Sequence, residues 1–151
     1  MFLTFPIEIG IYISSGKDFK RLDSFSLAKP KYTLYGDPWQ GLICKHWNSD
    51  IFPVAPVADL FQKGIIELKI SNNHTSWVEI NHVVFNAFGM KIYYDNQKVS
   101  MKAKMKITGK GLAETEFIDS PLESGMKKSL EIYVVKKLSL ATPKFVMELG
   151  L

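Results

Sequence analysis

The run Lys98-Val99-Ser100-Met101-Lys102-Ala103-Lys104-Met105-Lys106-Ile107-Thr108-Gly109-Lys110 alternates without a break. Even positions carry Lys, Ser or Thr, and odd positions carry Val, Met, Ala, Met, Ile and Gly. A strand sends successive side chains to opposite faces, so this period of two predicts one oily face and one ammonium face. Lysines on one face lie roughly 6.6 Å apart, twice the rise per residue. That spacing suits an anionic polymer or an anionic membrane surface, and Lys98, Lys102, Lys104, Lys106 and Lys110 are the candidate contacts. It equally suits a solvated face, where lysine discourages edge-to-edge pairing. Aromatic rings that would stack single-stranded bases are missing from those even positions.

The same alternation recurs on both sides of this run. From Leu3 to Ile13 the odd positions are apolar, with Pro6 arguing for an edge strand or a bulge. Strands are expected at Phe19 to Leu27, Lys31 to Tyr35, Gln40 to Trp47, Gly64 to Ser71, Ser76 to Phe85, Met90 to Tyr94, Leu112 to Ile118, Leu130 to Lys136 and Phe145 to Leu149. Asn72-Asn73-His74 is turn chemistry, so Gly64 to Ser71 and Ser76 to Phe85 are expected to pair as a hairpin. Pro53 and Pro56 make the stretch around them irregular. No segment repeats apolar residues at helical spacing over three turns. The expectation is all-β: an antiparallel β-sandwich or partly open barrel of about ten short strands, in one domain spanning 1–151.

The 151 residues suit one domain, and 46% hydrophobic content supplies a core, which excludes wholesale disorder. The formal charge of +4 resides in residues 90–151, with eleven Lys against seven acids; residues 1–89 balance at eight and eight. Arg21 is the one arginine among nineteen cations, which argues against sequence-specific DNA reading by guanidinium forks. The lone Cys44 excludes an internal disulfide and fits a reducing, cytoplasmic setting. No signal peptide or transmembrane segment is evident.

Catalytic signals are sparse. His46, His74 and His82 form no metal-binding pattern, and nucleophile-elbow and phosphate-loop glycine motifs are missing. No metal or cofactor is called for. His82 lies in line with Val78, Ile80 and Val84, which marks it as a core histidine. Cys44 and His46 share a strand face, yet a small buried hydrophobe is the ordinary role of cysteine. Glu114 and Glu116 alternate on one strand and are placed to pair across to the lysines, at about 0.2–1 kcal/mol each. Tyr35, Trp39, His46, Trp47 and Asp50 concentrate aromatic and polar groups at strand ends, as a ligand or partner groove requires.

Phe5-Pro6-Ile7-Glu8-Ile9-Gly10, Tyr35-Gly36-Asp37-Pro38 with Gly41-Leu42-Ile43, Gly125-Met126-Lys127-Lys128 and the segment from Lys144 to Leu151 carry a further signal. Through them the chain resembles an uncharacterised archaeal domain-of-unknown-function family of all-β proteins. The resemblance implies an accessory or regulatory role, some relatives being attached to channel-like membrane proteins, and brings no catalytic residues with it. The leading expectation is a non-catalytic module that binds a protein partner or its own copies. The alternatives are a binder of nucleic acid or anionic membrane through the lysine strand, and a small-ligand or sugar-binding domain around the aromatic cluster.

Overall fold

The computed structural model describes residues 1–16, 18–130 and 144–151. The strand expected at Leu130 to Lys136 falls almost wholly outside them. Eleven strands and no α-helix are present among the described residues: β1 (Phe2–Pro6), β2 (Ile9–Ser15), β3 (Asp18–Phe25), β4 (Lys31–Tyr35), β5 (Leu42–His46), β6 (Lys63–Asn72), β7 (Tyr93–Tyr94), β8 (Val99–Gly109), β9 (Leu112–Ile118), β10 (Lys127–Lys128) and β11 (Phe145–Met147). The Leu3 to Ile13 run is therefore two strands. Pro6 ends β1 at the edge of the sheet, where its missing N–H costs no ladder bond.

Seven strands form the principal sheet, and β8 is its axis. One edge of β8 pairs with β6; the other pairs with β7 over Val99 and Ser100, then with β9 from Lys102 to Gly109. Beyond these lie β1 on β6, β11 on β9 and β10 on β7. The odd residues of β8 do turn inward: Met101, Ala103, Met105 and Ile107 are buried with Ile66, Leu68, Ala113 and Met147. Burial of this apolar face is the main source of stability.

The fold is all-β, as expected, and the described strands pair antiparallel except β6 and β8, which run parallel. The hairpin of Gly64 to Ser71 with Ser76 to Phe85 does not form, because β1 and β8 occupy both edges of β6. The turn itself is present: Asn72 Oδ1 accepts from the His74 amide at 2.9 Å, and Asn72 Nδ2 donates to the Ser76 carbonyl at 2.9 Å. The chain then crosses the inner face of the sheet as an irregular strap. Val78, Ile80, Val83, Val84 and Phe85 pack down onto the core. Parallel strands need such a long connection, and here irregular chain supplies the cover that a helix commonly gives. The Thr115 hydroxyl, 1% exposed, fastens the strap by donating to the Val84 carbonyl at 2.5 Å.

His82 is exposed and is not a core histidine. Both Val83 and Val84 turn inward, which breaks the alternation and leaves the imidazole edge-on to Tyr35, ring centres 5.3 Å apart. Tyr35 and Cys44 place the β4–β5 hairpin against the same core, giving the sheet a sandwich-like second layer. The β2–β3 pair forms a separate two-stranded sheet.

A polar corner ties β7 to β10. Asp119 accepts from the Tyr93 hydroxyl at 2.6 Å and from Lys128 Nζ at 2.8 Å. The Lys128 hydrogen bond, then that of Tyr93, holds the Asp119 carboxyl below its ordinary 3.8. The amides of Gln97 and Lys98 lower Asp95 in the same way. A carboxyl that is more acidic when folded stabilises the native state above about pH 4, and that contribution disappears as pH falls through its folded value. The gap in urea midpoint between wild type and Asp119→Asn is therefore expected to narrow as pH drops from about 5 to about 3. A gap independent of pH would refute this role.

Candidate functional site

The lysine strand presents its ammonium face with acids interleaved. Parallel register sets Glu67 beside Lys102 and Lys69 beside Lys104. On the other side β9 brings Glu116 beside Lys104 and Glu114 beside Lys106. Lys102 Nζ lies 3.6 Å from Glu67, Lys104 pairs with Glu116, and Lys98 Nζ lies 2.5 Å from Glu123. Glu114 is taken by Lys144 at 3.3 Å. Among the described residues, Lys106 and Lys110 have no ion pair. The alternation legible in the sequence is thus present, but its cations stand in a mixed-charge grid. A hollow of about 330 Å3 on this face is lined by Ser71, Lys104, Lys106, Glu114, Glu116 and Lys144.

The aromatic cluster divides between the two ends of the β4–β5 hairpin. Tyr35 is buried, its hydroxyl donating to the Gly150 carbonyl and accepting from the Leu149 amide, both at 3.0 Å. Trp39 is 94% exposed at the tip, where Asp37 Oδ1 accepts from the amides of Trp39 and Gln40. His46 pairs with Lys31 at the opposite end, with Trp47 next to it; Asp50 follows, exposed. Four residue steps, about 13 Å of strand, separate Tyr35 from Lys31 and His46. Cys44 faces the core as an apolar group would.

Trp47 belongs to a different feature. It lines a hollow of about 240 Å3 with Leu27, Ala28, Lys29, Lys31, Gln62 and Lys63. Its indole Nε1 is shut off from solvent and has no acceptor among the described residues.

Both hairpins carry exposed apolar side chains, interspersed on β2–β3 with Asp23 opposite Ile11 and Lys20 opposite Ile13. On β4–β5, Leu34 lies opposite Ile43, which is 80% exposed, with Tyr32 alongside. On β2–β3, Ile11, Ile13 and Phe25 are exposed, and so is Leu22 at the bulge. No group of His, Cys, Asp or Glu among the described residues is arranged to hold a metal.

In comparison with protein families, a model described as "Protein of unknown function (DUF432)" fits residues 1–148. The chain belongs to this family. Comparison with curated proteins and with solved structures finds no significant match to either. The DUF432 match takes in both hairpins, the lysine strand and the Trp47 hollow, and agrees with the resemblance in that the family is uncharacterised and spans the chain. No helix among the described residues is long and apolar enough to cross a membrane.

Two parts of this DUF432 surface escape sequence reasoning. Lys29 and Lys31 reach this hollow from one stretch and Lys63 from another, so no spacing marks the three together. The exposed apolar side chains of the hairpins follow the same alternation as core strands and differ in having no covering layer among the described residues.

Proposed function

We propose that this DUF432 chain is a non-catalytic interaction module that docks on protein through the outer faces of β2–β3 and β4–β5, its own copies being the first partner to test. The exposed Tyr32, Leu34 and Ile43 face carries the reading. Contiguous apolar surface of this kind marks interaction sites. Two-stranded hairpins also offer edges to which a further strand can add. The lysine strand is the less favoured surface, since three of its five cations already have carboxylate partners. The single free thiol, Cys44, supports a cytoplasmic address.

Light scattering across a concentration series tests the proposal. Mass is expected to rise with concentration, and Ile43→Lys to weaken association at least about tenfold by burying an unpaired charge. A monomer at every concentration up to about 1 mM, the affinity range of a few kcal/mol, would overturn self-association.

A further inference from the structure

We propose that the hollow beside Trp47 is a binding site for a phosphate group. Its lining has three ammonium-bearing side chains, Lys29, Lys31 and Lys63, and no carboxylate. None of the three is ion-paired among the described residues, whereas Lys45, Lys98, Lys102, Lys104, Lys128 and Lys144 each are. Unneutralised cations around one hollow repel one another, and a multiply charged anion relieves that repulsion.

The rims are fixed by backbone. Ile7, itself buried, donates its amide to the Gln62 carbonyl at 3.1 Å and accepts from the Ser26 hydroxyl at 2.8 Å. Ser26 in turn accepts from the Ala28 amide at 3.3 Å. The β4–β5 ladder sets Lys31 beside His46 and so beside Trp47, and the β1–β6 ladder sets Lys63 against Pro6. Asp59, the carboxylate tied to this rim, is engaged by the Gln62 carboxamide at 3.0 Å and the Phe61 amide at 2.9 Å and does not line the hollow.

A tetrahedral phosphate dianion carries more charge and more acceptor oxygens than a single carboxylate, and so suits three ammonium groups better. The Trp47 ring lines the hollow, and its buried Nε1 is a further donor left without an acceptor among the described residues. The phosphate is either free or carried by a small ester whose organic part rests on the indole.

Trp47 supplies the test. Trp39 and Trp77 are 94% and 100% exposed, so Trp39→Phe/Trp77→Phe leaves Trp47 as the one indole reporter. This protein is titrated with inorganic phosphate, with glycerol phosphate, and with sodium chloride at matched ionic strength; calorimetry reads the unaltered chain in parallel. A saturable response to phosphate or its ester, beyond that of chloride, is expected. Lys31→Gln/Lys63→Gln is expected to weaken it at least about tenfold, the scale of one lost charge-assisted hydrogen bond. Lys102→Gln/Lys106→Gln is expected to leave it unchanged. Thermal unfolding confirms that each variant is folded, and Lys31→Arg/Lys63→Arg retains the charge should the glutamine pair fail to fold. Tighter binding of the ester indicates an esterified ligand, and equal binding indicates free phosphate. No saturable signal beyond chloride by either method, or one that survives the loss of Lys31 and Lys63, overturns the proposal.

Discussion

Met105→Ala is expected to lower the stability of the native state by about 2–5 kcal/mol, read as a shift in the urea midpoint at unchanged slope. Met105 is 1% exposed at the middle of the axial strand β8, among Leu68, Ala103, Ile107, Ala113 and Met147. Truncation removes buried apolar surface and opens a cavity that neighbours on β6, β9 and β11 have little freedom to fill. Native stabilities are commonly about 5–15 kcal/mol, so this loss is a large fraction of the whole. The adjacent Lys104→Ala, on the wet face, is expected to cost less than about 1 kcal/mol because the Lys104 side chain, 55% exposed, meets Glu116 at the surface. Equal effects at the two positions would refute the inward and outward assignment of β8.

Gly36→Ala is expected to cost about 2–4 kcal/mol. Gly36 adopts φ of 97°, a left-handed conformation in which a side chain costs about 1–2 kcal/mol. A methyl group there would lie 2.3 Å from Leu149 Cδ1 and 3.1 Å from its Cβ and Cγ. The Leu149 tip can move, but its Cβ belongs to a residue whose amide donates to Tyr35 Oη. Displacement is therefore expected to loosen that bond as well, seen as faster hydrogen exchange at the Leu149 amide. Unchanged stability and unchanged exchange would show that the end of the chain is not held against this turn.

The sequence made individual strands legible more readily than their partners. The bounds of β4 and β9 match the expected ranges, and the inward face of β8 follows from alternation, since that strand has one face on the core. Alternation also marked residues 76–85, but it records burial on one side and not which neighbour supplies the backbone bonds. Val78 and Ile80 bury themselves on a sheet face, so their period of two does not signify a ladder. The parallel join between β6 and β8 had no local signal, because no turn connects them. The candidate sites follow the same logic. The five lysines of the β8 region could be read from one run, and Glu116 from its alternation with Glu114. Glu67 and Glu123 become counter-ions only through tertiary placement. The aromatic cluster looked compact because its members are near in number, yet a hairpin holds Tyr35 and Trp39 away from His46 and Trp47.

The side-by-side, same-direction course of β6 and β8 has a kinetic consequence. A hairpin zips outward from its turn, but these two strands meet only after the intervening 73–98 segment has closed a long loop. Loop entropy is then lost before the innermost pairing repays it, which slows the search for the native state. The β8–β9 hairpin, joined through a tight turn, is free to assemble beforehand and wait for β6 to dock.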